Sequence, residues 1–188
     1  MDNDGFGRIG IGARALLLVL LAYWVWQMAT EPFGSYSLWL LDMANLVFHE
    51  GGHILFLPLG SFMTSLGGSL TQFLIPLVCM ATFIVQTRDL YAAALALWWA
   101  GENLVDIAPY VADARALQMI LLGGHTGAEV EGHDWEAILG TLGWLNYDVA
   151  LGGACHKLGI LIMLGAIAWG AFVLRAQHRR LTTADDPG

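Results

Sequence analysis

Long apolar segments recur along this chain, and they constrain its fold more than any other feature. One covers residues 11–28 and another covers residues 158–174. As helices, segments of this length with few charges match the thickness of the hydrocarbon core of a bilayer. Of the 188 residues, 57% are hydrophobic and only 13% are charged. We therefore expect one integral-membrane domain, with a core over about residues 11–175 and short, disordered polar termini.

Helices are the expected secondary structure, because a helix satisfies its own backbone polar groups in lipid. No ten-residue alternation of apolar and polar residues suggests a barrel. The class predicted is therefore all-α, a polytopic bundle of about six transmembrane helices. Glycines over 60–68 are expected to break the chain between the second and third helices, and Pro76 is expected to kink the third. The segments are 11–28, 37–59, 69–85, 90–122, 135–151 and 158–174.

The basic residues give this bundle an orientation. With six crossings and both termini in the cytoplasm, one side holds Arg8, Arg14, Arg115, Arg175, Arg179 and Arg180, and the other holds Arg88 and Lys157. That distribution agrees with the positive-inside rule. We therefore expect a bacterial inner-membrane protein with both termini in the cytoplasm. A five-crossing alternative, with the fifth helix in the interface, would place the termini on opposite sides.

The second apolar segment carries Phe48-His49-Glu50-Gly51-Gly52-His53. Two histidines four residues apart lie one above the other on a helix face, so their imidazoles can hold one zinc ion together. A glutamate beside the first histidine can act as the base for water at that metal. Hydrocarbon makes such polar groups costly and therefore rare. The pattern predicts a zinc site with Glu50 as its general base.

Zinc needs a third protein ligand, and the fourth segment supplies candidates. At 100° per residue Glu102, Asp106 and Asp113 share one helix face. Asp113 is the preferred ligand, since its expected depth near the cytoplasmic end matches that of the histidine pair. Glu102 and Asp106 can instead be protonated packing groups. His133 is the rival ligand, and the pair His133-Asp134 admits two interpretations, a ligand with an orienting carboxylate or a simple helix start.

Phe48 through His53, followed by Asn103, Pro109 and Asp113, resembles the site-2-protease family of intramembrane zinc metalloproteases. That family has a His-Glu-x-x-His motif on one membrane helix and an Asn, a Pro and then an Asp-Gly on a later one. The resemblance implies that His49, His53 and Asp113 bind zinc, that Glu50 is the base and that Asn103 holds the substrate or the oxyanion. Gly67-Gly68-Ser69-Leu70 and Gln72 are similar to the glycine-rich entry to the family's next helix. The likeness covers about residues 38–116.

The chain also departs from that family, because Ala114 stands where the family has glycine and no PDZ domain is present. The function expected is hydrolysis of a peptide bond in a transmembrane protein substrate near the cytoplasmic face. Two alternatives stay open: a zinc-binding membrane protein or complex subunit without peptidase activity, and a hydrolase of lipids or small amides. Lipid is an expected partner and an oligomer or complex is possible. The net charge of −8 without a basic patch argues against nucleic acid.

Overall fold

The computed structural model describes residues 3–31 and 38–184, and every regular element in these ranges is a helix. The expected all-α class is confirmed for this part of the chain. Single turns of tighter or wider helix follow α2, α3 and α5, at Leu57–Leu59, Phe83–Thr87 and Leu145–Tyr147. The six helices are α1 (Asn3–Thr30), α2 (Trp39–Phe56), α3 (Ser61–Thr82), α4 (Leu90–Ala112), α5 (Asp134–Leu142) and α6 (Asp148–Ala184).

Three helical stretches in the described ranges are long and apolar enough to cross a membrane: Ile9–Thr30, Ser61–Thr87 and Leu145–Thr182. The membrane character expected from the sequence agrees with this finding, but six crossings are not supported. One reason is that neither α2 nor α4 is among these stretches. Another reason lies between residues 135 and 174. There α5 has only 9 residues and ends at Gly143, where φ is 70°. The chain then enters α6, a single helix of 37 residues.

Several helix boundaries also differ from those expected. Because α3 begins at Ser61, Gly67 and Gly68 lie inside a helix that continues through Pro76, and they do not break the chain. Because α4 ends at Ala112, its expected continuation to residue 122 is wrong. The polar lead is helical from Asn3 onward. The expected start of the second helix at residue 37 and the last residues, 185–188, lie outside the described ranges.

Glycines allow two pairs of helices to approach very closely. A Cβ added to Gly52 of α2 would lie 2.1 Å from the carbonyl oxygen of Gly67 in α3. A Cβ on Gly101 of α4 would lie 2.8 Å from the carbonyl oxygen of Gly159 in α6. Small residues at such contacts bring helix backbones together, which is the usual packing device in membranes. The bundle is thus α2 against α3 and α4 against α6, with α3 also packed on α4 and α1 on α6.

Polar contacts mark one end of this bundle, which we call the terminal end. Arg14 of α1 donates to the amide oxygen of Gln177 in α6 at 2.8 Å. The Tyr91 hydroxyl at the start of α4 donates to the carbonyl oxygen of Arg14 at 2.7 Å. Asp89 caps α4 by accepting from its first backbone N–H groups. The beginning of α1, the beginning of α4 and the end of α6 therefore meet here.

At the opposite end, which we call the loop end, α4 finishes and α6 starts. Arg115, just past α4, donates through Nη2 to the Asp148 carboxylate at 2.7 Å. The Asp148 side chain is buried beneath this contact. Between them the chain makes a loop and the short helix α5. This loop includes an isolated antiparallel bridge between Ile120 and Thr126.

Candidate metal centre

The histidine pair lies on one face of α2, with ring centroids 4.9 Å apart. Helix α3 orients both rings. Nδ1–H of His53 donates to the carbonyl oxygen of Thr64 at 2.8 Å, and Nδ1–H of His49 donates to the side-chain oxygen of Gln72 at 3.0 Å. Since those oxygens can only accept, each ring holds its proton on Nδ1. In the neutral form of each ring, Nε2 then presents a lone pair, which is the form in which an imidazole binds a metal.

The first residue of α5 completes the group. One carboxylate oxygen of Asp134, Oδ2, lies 3.3 Å from Nε2 of His49 and 3.3 Å from Nε2 of His53. We refer to His49, His53 and Asp134 as the metal group. Their three ligand atoms all lie within 4.8 Å of one another. Among the described residues, this is the group of histidine, cysteine and carboxylate side chains close enough to share an ion.

Asp134 is held in place from α3 and α4. The Tyr110 hydroxyl of α4 donates to Asp134 Oδ2 at 3.3 Å and accepts from the Asp134 backbone N–H at 2.9 Å. The Trp135 indole N–H donates to the Ser69 hydroxyl of α3 at 3.1 Å. Nδ1 of His133 accepts from the Glu136 backbone N–H at 3.2 Å and so caps α5. The position of the carboxylate is therefore set by three separate elements.

Asp113 and His133, the two residues considered from the sequence as a third ligand, both lie outside the metal group. The Asp113 carboxylate accepts from the backbone N–H groups of Gln118 and Met119, at 3.0 and 2.8 Å. His133 is buried, and its Nε2 lies 3.5 Å from Asp113. Burial lowers the pKa of His133, which keeps the ring neutral. Because α4 ends at Ala112, Asp113 leaves the helical face it was expected to share with Glu102 and Asp106.

The remaining polar groups of α4 take different positions. Asp106 Oδ2 accepts from the side-chain N–H of Gln72 at 2.6 Å, beside the metal group. Glu102 accepts from Asn45 of α2 at 3.0 Å, farther inside the bundle. Asn103 is fully buried and donates to the Trp99 carbonyl oxygen at 2.9 Å. It is not among the residues that line the cleft beside the metal group.

A cleft of about 660 Å³ opens beside the metal group. Its polar lining includes the metal group itself, Glu50, Asp106 and Tyr110. An apolar stretch of the loop, residues 119–122, lies on its border. Glu50 follows His49 directly and is partly exposed. The cleft thus gives a small molecule or a chain segment access to the metal group and to the one carboxylate that the sequence assigns as a base.

The residue types of the metal group and its two nitrogen–oxygen separations are compatible with a tetrahedral metal ion such as zinc. Two imidazole nitrogens and one carboxylate oxygen form a ligand set typical of zinc sites that keep a fourth position open. Ligand bonds of roughly 2.0–2.1 Å at tetrahedral angles place neighbouring ligand atoms about 3.4 Å apart. The two nitrogen–oxygen separations in the structure are 3.3 Å. Gly68 is part of the fit, since a Cβ there would lie 2.6 Å from Nε2 of His49.

From the sequence, Asp134 was interpreted only as a carboxylate that orients His133 or as part of a helix start. One feature of the sequence nevertheless pointed to a more direct role for it. An acidic residue in the first turn of a short helix, directly after a histidine, was visible in the sequence. Its distance along the chain from the histidines gave no reason to prefer it over Asp113. His125 and His156 lie elsewhere: His125 is exposed beside Glu129, and His156 donates to the Met28 carbonyl oxygen.

Comparison with protein-family models, curated proteins and solved structures finds no match to this chain.

Proposed function

We propose that this protein is a zinc-dependent hydrolase that cuts a peptide bond of a membrane-associated polypeptide. One observation carries the proposal: Nε2 of His49, Nε2 of His53 and Oδ2 of Asp134 converge with zinc-like spacing. They do so at the wall of a cleft that Glu50 also lines. Three protein ligands and an open approach are the arrangement of catalytic zinc sites, whereas structural sites are closed by four side chains.

His49, His53 and Asp134 would hold the zinc, which when bound would supply a Lewis acid for an amide carbonyl and for the attacking water. The other steps fall to this chain's own side chains. Glu50 accepts the proton of the attacking water and delivers it to the leaving amine. Gln72 and the Thr64 carbonyl oxygen hold the two imidazoles with Nε2 facing the cleft. Tyr110 holds Asp134, so the metal group need not rearrange during the reaction.

The substrate must enter in an extended form, because a helix shields its own peptide bonds. The border formed by residues 119–122 is apolar and the lining near the metal group is polar. Such a cleft suits a locally unwound segment whose apolar side chains rest on the loop while one peptide bond reaches Glu50. A polypeptide fits this arrangement better than a compact small amide, which would leave the apolar border unused.

The resemblance to the site-2-protease family supports the proposal through the His-Glu-x-x-His motif of α2. The third ligand proposed here, Asp134, begins a short helix after α4. In that family the corresponding Asp follows the Asn and Pro of a membrane helix, where this chain has Asp113. The proposal therefore keeps the family's chemistry for His49, Glu50 and His53 and replaces its ligand on the later helix.

A Glu50→Gln substitution tests the assignment of the base. We expect the purified variant to retain one zinc per chain and to cleave a fluorescently labelled transmembrane peptide about 10²–10⁴ times more slowly, since a general base contributes that much. Zinc is measured by elemental analysis and cleavage by product separation in the same proteoliposomes. Glu131→Gln is the matched control, because Glu131 also lines the cleft but lies outside the motif. Equal cleavage by Glu50→Gln and unaltered protein would remove Glu50 from the mechanism.

A further inference from the structure

The two ends of the bundle lie about one membrane thickness apart. Helix α4 connects them and has 23 residues. At 1.5 Å per residue it is about 34 Å long, compared with about 30 Å for the hydrocarbon core of a bilayer. It runs alongside α3 and α6, two of the stretches with the composition of membrane spans. A bilayer crossed by α3 and α6 would therefore have the terminal end on one side and the loop end on the other.

The metal group belongs to the loop end. Asp134 begins α5, which lies between the end of α4 and the start of α6. His53 lies in the last turn of α2 and is bonded to Thr64 in the first turn of α3. Tyr110, which holds Asp134, lies in the last turn of α4. By contrast, Arg14 and Gln177 join the beginning of α1 to the end of α6 at the terminal end. The metal group thus lies at the end of the bundle opposite to the contact between Arg14 and Gln177.

The basic residues are divided unequally between these ends. Of the eight lysines and arginines, six lie on the parts of the chain at the terminal end: Arg8, Arg14, Arg88, Arg175, Arg179 and Arg180. Arg115 and Lys157 lie toward the loop end, and Arg115 is paired with Asp148. Compared with the six-crossing topology, Arg88 and Arg115 exchange sides. The ratio is still six to two, but the excess now lies away from the metal group.

We propose that the terminal end faces the cytoplasm and that the metal cleft opens on the opposite, non-cytoplasmic face of the membrane. The positive-inside rule assigns the basic end to the cytoplasm. This orientation replaces the cytoplasmic opening expected from six crossings. Given the proposed hydrolase function, on which this step depends, the substrate is a membrane-anchored polypeptide that is cut in the segment it exposes on the non-cytoplasmic side.

Single-cysteine labelling tests this orientation. In a background with Cys79→Ala and Cys155→Ala, His125→Cys marks the loop end and Thr182→Cys marks the terminal end. Both positions are exposed. We expect a membrane-impermeant maleimide to label His125→Cys in intact bacterial cells and to label Thr182→Cys only after the membrane is permeabilised. Labelling of Thr182→Cys alone in intact cells, or of both variants on one side, would overturn the proposal.

A fluorescent protein that matures only in the cytoplasm, fused after Gly188 of the otherwise unaltered chain, provides a second measurement. We expect the fusion to be fluorescent, and a dark full-length fusion would contradict the orientation. Neither readout depends on zinc or on catalysis. A failed orientation is therefore distinguishable from a failed hydrolase assignment, which the Glu50→Gln experiment tests by itself.

Discussion

Gln72 shows how a single side chain can prepare the metal group. Its oxygen accepts from Nδ1–H of His49 at 3.0 Å, and its N–H donates to Asp106 at 2.6 Å. Because the amide nitrogen of Gln72 donates to Asp106, the amide oxygen of Gln72 must face His49. That oxygen can only accept, so the imidazole carries a proton on Nδ1. Partners that hold the outer nitrogen of a ligating histidine raise metal affinity by about 10–100-fold. Asp106, a member of the carboxylate stripe expected on α4, acts on the site through Gln72.

Substitution of single carboxylates distinguishes the candidates for the third ligand. We expect Asp134→Asn to lower zinc occupancy after dialysis at least tenfold, because a neutral amide is a poor zinc ligand. Asp113→Asn is the matched control and should keep its zinc, since Asp113 bonds to the backbone of Gln118 and Met119. Elemental analysis of the purified variants measures the difference. The reverse result, with zinc lost only from Asp113→Asn, would restore the ligand inferred from the family resemblance.

At the scale of elements, the contact between α2 and α3 decides whether the site can form. Both partners of the imidazole Nδ1–H groups, Thr64 and Gln72, are on α3. The two helices can supply these bonds only because Gly52 and Gly67 let their backbones touch. The glycines interpreted from sequence as a break between helices are therefore part of the contact. Gly67 and Gly68 suggest a loop when α3 is considered alone, but against α2 they are packing residues.

Two adjacent glycines in the motif should respond oppositely to alanine. Gly52→Ala places a Cβ 2.1 Å from the Gly67 carbonyl oxygen, so α2 and α3 must separate. We expect a loss of about 1–3 kcal/mol in stability. At Gly51 a Cβ meets nothing within 4 Å, so Gly51→Ala should be neutral or gain about 0.5–1 kcal/mol from helix propensity. Thermal unfolding in detergent compares them, and equal melting temperatures would show that the contact is looser than described.

At the scale of the whole molecule, an ion pair closes the loop end of the bundle. Arg115 bonds Asp148 through both Nε and Nη2, at 2.9 and 2.7 Å. This joins the exit of α4 to the first residue of α6, and the 32 residues between them carry Asp134. Since Asp148 is buried, it depends on this cation. The ion pair therefore helps to position a ligand that it does not touch.

Removal of that cation should loosen the loop end. We expect Arg115→Met to lower the melting temperature, because the Asp148 carboxylate loses its charged partner. Zinc retention should fall with it, since Asp134 lies in the loop that the pair closes. Lys157→Met removes an exposed cation farther along α6 and serves as the control. A melting temperature lowered equally by both substitutions would indicate a general charge effect.

The sequence by itself determined what local periodicity and composition control. A large apolar fraction predicts membrane helices, and a spacing of four residues places His49 and His53 on one face of α2 in any tertiary arrangement. Tertiary structure decided the rest. Within residues 3–31 and 38–184 it leaves three span candidates where six were expected, and it makes Asp134 the third member of the metal group. It also decides at which end of the bundle this group lies. These features depend on where helices stop and on contacts between residues far apart in the chain, such as the 85 positions separating His49 from Asp134. Helical periodicity cannot relate residues on either side of a helix end. The contact between the Asp134 carboxylate and the two histidines could therefore be found only in the folded chain.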